Sequence, residues 1–167
     1  MAALYRARSK GLSTVPAAIR SFVVALAIGL AATTAGRAAD DKPHRIAIQV
    51  NQDDPVVMNL VINNAENVIE YYRGRGEDVD VEIVAYGPGL HMLRADTSPV
   101  KDRVTQIAGD KASFPARIVF SACDNTRQNM EKREGHPIPI VPQAAIVPSG
   151  VVRLMQLQEQ GWSYVRP

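Results

Sequence analysis

One thiol holds most of the chemistry this 167-residue chain has to offer. Cys123 is the only cysteine, and it closes a short apolar run, Ile118-Val119-Phe120, of the branched and aromatic types that fit a buried strand. Asp124, Asn125 and Thr126 follow, and all three are residue types that open helices. The expected order is strand, thiol, helix. In an open parallel sheet that junction lies at the carboxyl edge of the strands, where ligands bind. A sulfur there meets the first free N–H groups of the next helix, those of Asn125 and Thr126, and the amides and helix dipole together favour the thiolate. The Asp124 carboxylate works against them. The competing reading is that Cys123 is a small buried hydrophobe. Sequence alone leaves both open.

The other residues at that edge are fewer. Asn51 and Asp53 follow the first apolar strand and either bind a ligand or open a helix, and the helix role is the simpler one. Gly87-Pro88-Gly89 follows the second strand. Its glycines allow positive φ and close backbone approach, and Pro88 stiffens the turn. It is not a dinucleotide fingerprint, because Met92 stands where the third glycine would be. No phosphate loop and no nucleophile elbow occur. His44, His91 and His136 are scattered without metal-ligand spacing, and Cys123, Met130 and His136 match no copper pattern. No metal and no cofactor is expected.

The elements that must position the thiol can be read in order. His44–Val50 is the first strand. Asp54 caps a helix that starts at Pro55 and runs to about residue 72, with Leu60, Val61, Asn64, Val68, Tyr71 and Tyr72 expected inward and Gly74 and Gly76 ending it. Val79–Ala85 is the second strand. A helical turn over residues 90–95 and a helix over 99–108 follow, the latter with Val100, Val104 and Ile107 inward. The third strand is 116–122 and its helix 125–134, so polar that only Met130 can anchor it and only weak attachment is expected. Residues 136–142 form a proline-punctuated extended connector. Its Ile138, Ile140 and Val141 need cover, which a second subunit would supply, the alternative being that they fold back on their own domain. Ala144–Val147 is the fourth strand. Ser149 caps the last helix, with Val151, Leu154 and Leu157 (or Met155) inward, and 162–165 is the fifth strand. Strands alternating with helices predict a parallel sheet with helices on both faces.

The first 38 residues stand apart. Arg6, Arg8, Lys10 and Arg20 precede an apolar stretch over 22–32 and then small residues up to Ala38, the layout of a secretory signal peptide cut after Ala38. The apolar stretch is short for a permanent anchor. The expected organisation is a signal peptide, 1–38, and one α/β domain, 39–167, in a bacterial periplasm or secreted. The leader holds five of the 19 Lys and Arg residues (the four above and Arg37) and none of the 17 acids. The remainder therefore carries 14 basic against 17 acidic side chains, a formal charge of −3. A mildly acidic domain without a basic stripe argues against nucleic-acid binding.

From about His44 to Pro167 the chain resembles the DsrE/DsrF-like family, in particular its small secreted branch. The likeness is carried by Gln49-Val50-Asn51, by Leu60-Val61-Ile62-Asn63-Asn64 and by Val84-Ala85-Tyr86-Gly87-Pro88-Gly89. It continues through Phe120-Ser121-Ala122-Cys123-Asp124-Asn125-Thr126, Val147-Pro148-Ser149-Gly150 and the terminal stretch from Gln158 to Pro167. The resemblance implies a three-layer α/β/α domain with a five-stranded, mostly parallel sheet, assembled as a dimer, trimer or hexamer. It also implies a sulfur-relay role, in which Cys123 accepts sulfur as a persulfide from one thiol-containing partner and passes it to another. Asn51, Gly87 and Gly89 would then form the mouth of the pocket, with Asn125 and Thr126 stabilising the sulfur. The alternative is a non-catalytic oligomeric module in which the cysteine is structural.

Overall fold

Five parallel strands pair in the order β4-β3-β2-β1-β5: β1 (His44–Val50), β2 (Val79–Ala85), β3 (Ala116–Cys123), β4 (Ala144–Val147) and β5 (Ser163–Val165). The computed structural model describes residues 43–109 and 116–167, so the expected leader lies outside the described residues. Helices α1 (Pro55–Arg73), α2 (Lys101–Gly109), α3 (Asp124–Glu134) and α4 (Gly150–Glu159) connect the strands, with a 3-10 helix (Gly87–Leu93) after β2.

The strand order fixes the layers. β1 to β4 step one way across the sheet, so right-handed crossovers put α1, α2 and α3 on one face. β5 returns to the far side of β1, which sends α4 to the opposite face. The result is the expected three-layer α/β/α arrangement, with outer layers of very different weight. Ile48 and Val50, Val81 and Ile83, and Ile118 and Phe120 face the three-helix layer and form the main core with Met58, Ile62, Val104 and Met130. Each such side chain, fully buried, contributes roughly 1.5–3 kcal/mol. The other face has only Ala47, Val84, Leu154 and Leu157 in its apolar cluster, edged by Tyr86 and Trp162.

The local signals act as expected at most helix ends. The Asp54 carboxylate accepts the Val56 N–H at 2.8 Å with Pro55 in the first helical turn, and Ser149 accepts the Val152 N–H at 3.5 Å. Three expectations about faces are corrected. The inward residues of α1 are Met58, Val61, Ile62, Ala65 and Ile69, while Leu60 and Tyr71 are exposed. This helix is apolar on more than one stripe, and the strands beneath it select which stripe is buried. Val151 of α4 is likewise exposed, with Leu154 and Leu157 inward.

The connector is the third correction. Ile138 and Val141 are buried in the main core of their own domain and Ile140 packs on it, so they need no second subunit for cover. The connector runs antiparallel to the end of the 3-10 helix. Ala95 N–H donates to the Pro139 carbonyl at 2.8 Å, and Val141 N–H donates to the Leu93 carbonyl at 2.9 Å. Prolines at 137, 139 and 142 leave the bonding N–H groups of Ile138 and Val141 between them.

Candidate functional site

β3 runs one residue further than its apolar pattern suggests, so Cys123 is both its last residue and the N-cap of α3. Register pairs Cys123 with Val147 at the end of β4. Alternation puts Cys123 with Ser121, Val84 and Val147 on the α4 face. Beyond this pair the chain divides: α3 returns over the main core, and α4 crosses the other face. Adjacent strands whose following helices go to opposite faces define the crevice at which open α/β sheets bind ligands. The thiol lies at that crevice.

The remaining sequence candidates gather on the same edge. The Gly87 N–H donates to the Thr126 hydroxyl at 2.9 Å, tying the turn after β2 to the first turn of α3. Gly87 has φ +53, the left-handed region where glycine carries no steric cost. Gly89 lies against the end of β1. A Cβ there would stand 2.4 Å from the Val50 carbonyl oxygen and 2.7 Å from the Asn51 nitrogen. Asn51 is therefore held by backbone contact, and its neighbour Asp53 approaches His91 of the 3-10 helix to 3.8 Å.

The sulfur itself is in different surroundings from those expected. Cys123 is 4% exposed and its side chain takes no capping hydrogen bond. The Asn125 amide, expected to face the thiol, donates across the crevice to the Pro148 carbonyl at 3.3 Å. The Thr126 hydroxyl serves Gly87. The Asp124 charge is also compensated. Arg127 first and Gln128 second, at 2.6–2.8 Å, hold its carboxyl below the ordinary range, so the acid beside the thiol is locally neutralised.

Two groups that sequence reading missed frame the crevice. Under α4, the Glu82 carboxylate accepts the Ser121 hydroxyl at 2.6 Å and both arms of the Arg153 guanidinium at 2.6 Å. The signal was present as an acid inside an apolar strand, Val81-Glu82-Ile83. On the other side, a cleft of about 460 Å³ is lined by Gly87, Pro88, Thr126, Asn129, Lys132 and Arg133. A second of about 310 Å³ lies between β4 and α4, lined by Val147, Pro148 and Arg153 among others. Cys123 lines neither. Among the described residues no three His, Cys, Asp or Glu side chains gather as a metal site, and no helix is long and apolar enough to cross a membrane.

Comparison with known proteins supports the fold. Among solved structures the chain is similar to a protein of unknown function, MTH1491 from Methanobacterium thermoautotrophicum. The two are 29% identical over 74% of this chain and 99% of that one, with a TM-score of 0.61. No family model matches the chain, and no curated protein matches it.

Proposed function

We propose that this chain is an exported sulfur carrier of the DsrE/DsrF-like type, loaded on Cys123. The observation that carries the reading is the place of the thiol, at the crevice between β3 and β4 where the following helices diverge. In the loading step the Cys123 thiolate attacks the sulfane sulfur of a donor persulfide. The donor's S–S bond breaks and its thiolate leaves with the electron pair. In the second step an acceptor thiolate attacks the outer sulfur and Cys123 leaves as thiolate, so no net oxidant is consumed. The donor and acceptor are thiol-bearing proteins, and the working form is a homo-oligomer. Export rests on the leader. Recovery from the periplasm with Ala39 as the N-terminus is the expected result, and full-length chain in the cytosol would reverse it.

Intact-mass analysis after polysulfide exposure tests the carrier role. The expected result is a gain of sulfur by the native protein, removed by a reductant and absent from Cys123→Ser. Equal gain by that variant would sink the proposal.

A second reading, a structural thiol in a binding module, is favoured by the burial of Cys123 and by the missing capping bond. Labelling by a small electrophile at neutral pH separates the two. Rapid reaction of the folded protein supports the carrier, and reaction only after denaturation supports packing.

A further inference from the structure

The cleft between the β2 turn and α3 brings two cations together with a carboxamide and a hydroxyl. Thr126, Asn129 and Arg133 recur along one stripe of α3, with Lys132 beside them, and the stripe faces Gly87 and Pro88. Two cations in the last turn of a helix are what its dipole favours. The dipole does not account for their sharing a 460 Å³ cleft with a carboxamide and a hydroxyl and no carboxylate.

The acids of α3 are all engaged elsewhere. Arg127 holds Asp124 at 2.6 Å and Glu131 at 2.6 Å, and Arg94 holds Glu134 at 2.8 Å. Neither Lys132 nor Arg133 has a hydrogen-bond or ion-pair partner among the described residues, and nor does the Asn129 side chain. The Thr126 hydroxyl accepts from Gly87, which leaves its own proton to donate. At Gly87 a Cβ would meet nothing within 4 Å, so the backbone opposite the cations is open. A positive recess with no carboxylate in its lining thus opens on a domain whose formal charge outside the leader is −3.

We propose that this cleft binds a small dianion of the sulfate–phosphate class. Lys132 and Arg133 neutralise its charge, and Asn129 and Thr126 donate to its oxygens. Arg133 offers the planar fork that matches two oxygens of one oxyanion, and Lys132 supplies a point charge. The inference does not depend on sulfur loading at Cys123, and its readout is binding alone, so the two stand or fall separately.

Calorimetric titration of the native protein with sodium sulfate, inorganic phosphate and glycerol phosphate is the test. Saturable binding is expected, weakening as ionic strength rises. Lys132→Ala and Arg133→Ala should each weaken it about tenfold, the scale of one lost charge-assisted hydrogen bond. Asn129→Asp, which adds a carboxylate, should abolish it. Lys101→Ala removes a cation elsewhere on the surface and should leave it unchanged. Tighter binding of glycerol phosphate than of both inorganic ions identifies an organic phosphate as the ligand. Equal or weaker binding identifies the free oxyanion. Absence of saturable binding, or equal loss in Lys101→Ala, overturns the proposal.

Discussion

Glu82 is 2% exposed, and three hydrogen bonds hold it: one from Ser121 and two from Arg153. A buried carboxylate is tolerated only while it is paired. Arg153→Ala is therefore expected to destabilise the domain toward the lower end of the ~3–5 kcal/mol typical of an orphaned buried charge, because water reaches the guanidinium side of the pair. Urea unfolding measures it, and Glu82→Leu added to that variant should recover much of the loss. Asp96 reports on pH. Hydrogen bonds from Arg94 hold its carboxyl at about 2, below the ordinary 3.8. A depressed folded-state value means the native form resists protonation. Its contribution is complete above about pH 4 and is lost as pH falls through about 2. Melting curves over that window should show a shallower acid decline for Asp96→Asn than for the native chain, and identical slopes would refute the linkage.

At the scale of elements, polar ties do the work that the polar sequence of α3 seemed to leave undone. Met130 is its buried anchor, but Thr126 receives Gly87 N–H, Glu134 holds the buried Arg94, and Glu131 receives the Ile138 N–H at 3.2 Å. The helix is tethered at both ends to the loops around the site, not loosely laid on the sheet. Gly89 sets the spacing between two of those loops. In Gly89→Ala the new Cβ meets only backbone, which cannot rotate away, so a loss of about 1–3 kcal/mol or more is expected, with Asn51 displaced. A thermal melt and the Asn51 amide resonance check both. The connector gives an opposite sign to an assembly test. Ile138 is core, so Ile138→Ala should lower monomer stability by roughly 2–5 kcal/mol. Loss of association with unchanged stability would contradict its place in the fold.

The two faces of the sheet are covered unequally. Among the described residues, three helices cover one face of the sheet and α4 covers the other, where Arg117 and Arg45 pair with the partly buried Asp80 at 3.1 and 3.9 Å. Beside the short edge strand β4, α4 leaves Val151, Val152 and Met155 each about half exposed. Apolar side chains at an unpaired sheet edge are where association is expected if the chain is an oligomer. Light scattering at micromolar concentration should therefore give a multiple of the chain mass, reduced by Val151→Asp with Met155→Asp. A monomeric mass for the native protein overturns that expectation.

What the sequence determined by itself is local. Alternation in Val79–Ala85, the Asp54-Pro55 and Ser149 caps, and the glycine stops set the elements, and strand–helix alternation set a parallel three-layer sheet, because these signals act within a few residues. It also put Cys123, Asn51, Gly87, Gly89, Asn125 and Thr126 at one edge, since every strand of a parallel sheet ends on the same side. Only the tertiary structure decided which stripe of α1 is buried, that the connector folds onto its own core, and that the Asn125 amide goes to Pro148. It alone brought Glu82 to Arg153, 71 residues away, and faced Lys132 and Arg133 toward Gly87. Those outcomes depend on competition between partners distant in the chain, and no periodicity records which partner wins.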